Sequence, residues 1–459
     1  MVLEIWLVLF LVSAFGPMRW SMIAFLCLST IDYQGGRGSF ASFNVVKGVM
    51  LPMFLLWRLR AYSGHRVTKL APVAWLLLMA YIAIAAFWSL FPQSAGKLVG
   101  EMLGSLLVAF VYIRATKSGA LTPSAAIPAV IGCLALAAIR THFYPNWGDD
   151  AGRFTSFIPA QGFAALLAGL YCVILCGRGI ATRTRVIMCS LTVMAIIMNG
   201  SRIWFIGIIF ATFFALMISE GRVWLKICAS GAMIVLLAMV VSGTNVLFGF
   251  VALGAATNRI ASVITALHRN DTNSRGLGTF NFRREVNEVA IQRIKASSPG
   301  ELVFGRGTCN GAVITGSLFA GYSRYGDPNR MFHNEWLRVL YEWGVIGSVF
   351  WLLFIGSVIV YAVQGVLISK KGNARPLLVY LPSFMIALAG ENMLAGAGNA
   401  VNMGFVFTLA LATIPHREYL KRKALRAAAW AAIRNAAQRH ARAFRPGWTA
   451  GPQSLQSGL

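Results

Sequence analysis

"MFHNEWLRVLYEWGVIGSVFWLLF", Met331 to Phe354, decides how this chain is read. From Trp336 an apolar run continues to about residue 368, longer than the roughly twenty residues that cross a bilayer. At its entrance stand His333, Glu335, Arg338 and Glu342. An ionisable side chain at the edge of a membrane span is costly unless it is paired, reaches water or works. The entrance is therefore both a topological marker and a candidate site.

Outward from it the same hydropathy recurs. The chain is 57% hydrophobic and only 12% charged, about half the charged share of a soluble domain. Apolar windows lie near 43–57, 70–90, 98–114, 121–140, 158–176, 186–200, 203–219, 227–250, 336–368, 377–394 and 399–415. Residues 3–30 form one long segment broken at Gly16 and Pro17 or two short ones, and no cleavable leader is expected because they lack a basic start. The predicted fold is an all-α polytopic membrane protein of about twelve transmembrane helices. Four blocks follow: an N-terminal bundle, 1–255; a long polar loop, 256–335; C-terminal membrane helices, 336–415; and a basic tail, 416–459.

A net charge of +26 would suggest nucleic acid in a soluble protein. Here the lysines and arginines gather in short connections, at Arg58 to Lys69, Arg114 to Lys117, Arg178 to Arg185, Arg222 to Lys226 and Lys370 to Arg375, and in the tail. Cytoplasmic loops retain such charge, so it sets orientation, and no nucleic-acid partner is expected. In the tail Leu420, Ala427, Trp430, Ile433, Ala437 and Phe444 share a helical face while the arginines lie largely elsewhere, the pattern of a cationic helix on anionic lipid. Seven cysteines are scattered. Only Cys309 lies in a long polar loop, so no disulfide framework is indicated, and Cys172 with Cys176 reads as packing.

With both termini cytoplasmic, the polar connections on the other face are 31–42, 141–157, 198–202 and 256–335. In the last, "FNFRREVNEVAIQRIK" (Phe280–Lys295) places Phe282, Val286, Val289 and Ile294 at helical spacing, an amphipathic helix lying on the membrane or on the bundle. "PGELVFGRGTCNG" after it reads as turn-rich. Residues 256–335 hold ten lysines and arginines against six acids, which points to an anionic ligand. Arg153 and Arg202 each open an apolar span, and Arg283 and Arg284 lie on the amphipathic helix. Arg153 also fits a snorkelling anchor.

A guanidinium donates two parallel hydrogen bonds and stays charged at any accessible pH, which suits a diphosphate. Such arginines can stabilise a diphosphate leaving group, so neither metal nor cofactor is expected. His333, with an ordinary pKa near 6.5, is a candidate general base for a sugar hydroxyl, against the alternative of a surface histidine at a helix start. Glu342 is expected to orient Arg338 at i, i−4, and Glu335 to meet Arg338 or Arg330. Gly344 and Gly347 suggest close helix packing. Asp149 and Asp150 read as a solvated loop.

These residues resemble the O-antigen ligase and Wzy polymerase superfamily of bacterial inner-membrane proteins. His333, Asn334, Leu337, Leu340, Glu342, Gly344 and Gly347 match its His-Asn pattern at the start of a membrane helix. "GSRIWFIG" is similar to its Ser-Arg-Gly span start, with Ile203 for the glycine. "GRFTSFIPAQGFAA" is similar to its Gly-Arg element, with Ser156 and Ala160 departing from it, and "ELVFGRGT" to its Gly-x-Gly. The resemblance implies a GT-C-like, metal-independent, inverting glycosyl transfer at the periplasmic face. The donor it implies is an undecaprenyl-diphosphate-linked oligosaccharide, and the acceptor a glycan or lipid A core. By that likeness Arg202 and one of Arg283 and Arg284 hold the diphosphate and His333 acts on the acceptor. Arg153, Asn334, Arg330, Arg338 and Glu342 would line the substrates, and other polysaccharide-assembly proteins are possible partners. Polymerase and ligase share these motifs, and a lipid-linked oligosaccharide transporter would use the same arginines without needing a base.

Overall fold

A computed structural model describes residues 1–31, 46–62, 70–145, 153–218, 278–318, 334–368 and 374–390, with short pieces between 405 and 437. Among them the structure is helical, with no strand beyond an isolated bridge between Ile31 and Phe157. The N-terminal ambiguity resolves as two helices, α1 (Val2–Phe15) and α2 (Met18–Leu28). Pro17 lacks an amide hydrogen, so the helix cannot run through it. The freed ends are tied by Arg58, whose guanidinium donates to the Ala14 and Gly16 carbonyls and to Ser21 Oγ.

A π-helical turn (Val46–Met50) leads into α3 (Leu51–Arg58). Then follow α4 (Leu70–Ala85), α5 (Pro92–Lys117), α6 (Ala126–Phe143), α7 (Ala160–Cys176), α8 (Thr182–Asn199) and α9 (Arg202–Met217). The polar block contributes α10 (Gly278–Lys295), α11 (Pro299–Phe304) and α12 (Ala312–Leu318), and the C-terminal part α13 (Glu335–Ile368) and α14 (Arg375–Gly390). Among the described residues three helical stretches are long and apolar enough to cross a membrane, Pro92–Lys117, Pro123–Phe143 and Glu335–Leu367, with shorter apolar helices beside them. The span expected at 227–250 lies outside the described residues, and 399–415 is described only in fragments.

The apolar helices carry apolar residues on buried and exposed faces alike. Helix α7 is buried along nearly its whole length, whereas α13 turns Val345, Val349, Leu352 and Leu353 outward. A helix that keeps such residues exposed faces lipid, so the chain is an all-α integral membrane protein. Helix α13 packs on α4, with Tyr81 against Phe350 and Trp75 against Phe354. A Cβ on Gly347 would lie 3.0 Å from the Tyr81 ring, the close packing expected of that glycine. Helix α9 packs on α14, where Ser383 Oγ donates to the Gly207 carbonyl. Residues 414–459 are a separate unit, in which 431–437 are helical and exposed.

Candidate functional site

Two constructions stand out, each built where helices end. The first surrounds the extended segment 153–158 that leads into α7. Phe154 donates its amide to the Met198 carbonyl at 3.3 Å and accepts from Asn199 Nδ2 at 3.1 Å. Ser156 Oγ donates to the Thr30 carbonyl, Phe157 bridges to Ile31, and Arg140 Nη1 donates to the Arg153 carbonyl at 2.9 Å. The ends of α2, α6 and α8 thus fix this segment, and Arg153 is brought to the same end of the bundle as the start of α9, which Arg202 opens. Gly200, at φ +74°, makes the left-handed stop that ends α8 and lets α9 begin two residues later.

The start of α9 is uncapped, as are the starts of α1, α2 and α5 to α8, but it alone is flanked by buried side-chain oxygens without partners among the described residues. Ser201 stands at the N-cap position, but its side chain makes no capping bond. Its Oγ and Asn199 Oδ1 are both buried without a hydrogen-bond partner. The first amides of a 16-residue helix carry positive partial charge, and here no side chain caps them. Two further cations were missed in the sequence. Arg140 and Lys47 are 1% and 4% exposed, and Lys47 Nζ donates to the Ile31 carbonyl at 2.9 Å. Each lies inside an apolar window of the sequence, 43–57 for Lys47 and 121–140 for Arg140, where a charge is by default a functional candidate.

The second construction gathers the polar block around the start of α13. Helix α10 packs on α12 and α13 through Val286, Ala290, Ile314 and Tyr341, so the amphipathic helix settles on protein. Arg283 on it is half-buried; Arg284 is exposed and faces Glu288 at 3.5 Å. The stretch read as turns opens instead with α11, started by a capping box in which the Glu301 amide donates to Ser298 Oγ and the Ser298 amide to the Glu301 carboxylate. The S-P-G-E spacing carried that signal.

Helix α13 is two helices joined at Gly344, whose φ of +61° and ψ of −161° are open only to glycine. Gly344 was expected to mark packing, and it does more: the break frees the Tyr341 and Glu342 carbonyls to accept from Arg306 and Gly307. The Glu342 carboxylate accepts from Cys309 N at 3.0 Å, Gly311 N at 2.9 Å and Arg338 Nε at 3.3 Å. Arg338 Nη1 donates to both Glu335 oxygens at 3.0 Å. All three ionised side chains are fully buried, and both expected pairings of Arg338 are present. Asn334 caps the helix, accepting from Leu337 N at 3.2 Å. Arg338 and Glu342 therefore face one another and the loop, with no surface turned to solvent. Cys309, expected in an open polar loop, is buried, and desolvation followed by the nearby Glu342 carboxylate pushes its thiol up to about 12.

His333 and Arg330 lie outside the described residues, and the side chain of Arg202 is likewise not described. No curated protein matches the chain. Residues 187–352 match the family model of the O-antigen ligases. That segment contains Arg202, Arg283, Arg284, His333, Arg338 and Glu342, and leaves Lys47, Arg140 and Arg153 outside. The likeness to the O-antigen ligases therefore spans residues 187–352, about a third of the chain, from within α8 to within α13.

Proposed function

We propose that the protein is a glycosyltransferase that takes a glycan from an undecaprenyl-diphosphate carrier and polymerises surface polysaccharide at the periplasmic face of the bacterial inner membrane. About twelve spans, with 256–335 on that face and both termini in the cytoplasm, complete the arrangement. The observation that carries the reading is the start of α9. Its uncapped amides, the buried unpartnered Ser201 Oγ and the Arg202 position meet at the segment that bears Arg153. A helix start of this kind accepts an anionic oxygen, and a diphosphate at the membrane edge supplies one.

In the transfer, an acceptor hydroxyl attacks the anomeric carbon as the bond from that carbon to the diphosphate oxygen breaks. The configuration inverts, and the diphosphate leaves with the bonding pair. Arg202, Arg153 and the half-buried Arg283 stabilise the charge that develops on it. His333 takes the hydroxyl proton. Neither metal nor cofactor has a role in this scheme.

The family's description as O-antigen ligases favours a second reading, transfer of the finished glycan to lipid A core. Purified protein incubated with the lipid-linked oligosaccharide alone, and again with lipid A core, separates them. A product ladder from the donor alone means polymerase; product only with core means ligase. Full product formation by His333→Ala would refute its role as the base, and absence of product from the wild-type protein in both incubations would refute enzymatic transfer and favour a transporter.

A further inference from the structure

We propose that Glu342, acting through Arg338 and Glu335, is a positioning residue of the transfer reaction: its carboxylate fills an anion-binding nest in the 305–311 loop and locks that loop to the short helix that follows His333. This rests on the transferase reading above and deepens it.

The first segment of α13, 335–343, is cut off from the membrane-spanning remainder by the break at Gly344. A helix of so few residues does not hold itself in place. Its position depends on what binds it laterally. Cys309, at φ +69°, is the one non-glycine residue with positive φ among the described residues. That left-handed turn brings the amides of Cys309 and Gly311 to one point, the concave backbone arrangement that in other settings receives a phosphate or sulfate. Here the occupant is internal, since one Glu342 oxygen takes each amide.

The other contacts extend the lock in both directions. Toward the bundle, Trp343 Nε1 donates to Thr308 Oγ1, which donates to the Ile82 carbonyl on α4, while the Thr308 amide donates to Ala85. Toward the site, Arg338 relays the Glu342 charge to Glu335, the first residue of the helix, beside the Asn334 cap. His333 precedes that cap by one residue in the chain. A carboxylate with one oxygen on each amide is needed, because an amide side chain has a single acceptor and would set its own N–H groups against one of the two.

Glu342→Gln in the full-length protein tests this, with kcat counted per folded molecule and the affinity for undecaprenyl diphosphate measured separately. A fall in kcat of about 10²-fold with unchanged affinity is expected, the cost of a reacting group displaced by about 1 Å. A folded variant with wild-type kcat overturns the proposal, as does a fall in affinity that accounts for the whole loss. Should Glu342→Gln not fold, Glu335→Gln is read by the same criteria, and failure of both to fold makes the network a folding element only and also overturns it. Wild-type protein and His333→Ala serve as references: an inactive wild type in both transfer assays defeats the transferase reading, whereas an active wild type beside an active Glu342→Gln defeats this inference alone.

Discussion

Ser201→Ala separates a side chain kept for folding from one kept for a ligand. Ser201 is 6% exposed, its Oγ has no partner and it does not cap α9. A buried hydroxyl without a partner costs about 1–3 kcal/mol. Removing it therefore costs nothing in the unliganded protein, and the unfolding midpoint in detergent is expected at or above the wild-type value. Donor binding behaves in the opposite way. A hydrogen bond to a charged oxygen contributes about 1.5–3 kcal/mol, so affinity for undecaprenyl diphosphate is expected to fall about 10- to 150-fold. Trp204, fully buried in the first turn of α9, reports the titration by its fluorescence. A lower midpoint with unaltered affinity would refute the reasoning, because Ser201 would then be an ordinary cap.

Arg283→Ala is expected to weaken the donor KM about tenfold or more, as loss of one charge-assisted bond does, while Arg284→Ala, exposed and paired with Glu288, changes it little; steady-state kinetics on both variants decides. Gly344→Ala forces a Cβ to within 2.5 Å of the Val303 carbonyl and against Gly305 N in a conformation open only to glycine. Backbone strain of about 1–3 kcal/mol and overpacking of similar size together predict a loss of about 2–6 kcal/mol, measurable as a lower unfolding midpoint. Cys309 keeps its proton to about 12, so a maleimide at pH 8 should label it only after denaturation. Because the unfolded thiol ionises near its ordinary value of 9.0, the Cys309 contribution to stability is intact below that pH and declines between it and about 12, which an alkaline unfolding series in Cys309→Ala and the parent resolves.

Hydropathy was legible because it is additive along the chain: each described helix from α4 to α9, and α13, falls on an apolar window found by counting. The pairings of Arg338 were legible too, since residues three and four apart on a helix must be neighbours. What escaped counting was any residue whose role is set by a distant piece of backbone. Lys47 is buried because the Ile31 carbonyl ends α2 near it, and Arg140 because residue 153 returns across the end of α6. No periodicity encodes either meeting. Gly344 carries the same lesson in sharper form. On sequence it is a small residue in an apolar helix, indistinguishable from Gly347; in the fold one glycine admits a neighbouring ring and the other stops the helix. The stop exposes two carbonyls, the carbonyls capture Arg306 and Gly307, and that capture sets the Cys309 and Gly311 amides over the Glu342 carboxylate. The titratable cluster at the mouth of α13 thus holds, among its described residues, a buried clamp on the 305–311 loop. Burial is what marks the clamp: the fully enclosed Glu335 and Glu342 have every carboxylate oxygen engaged by protein, and Arg338 joins them.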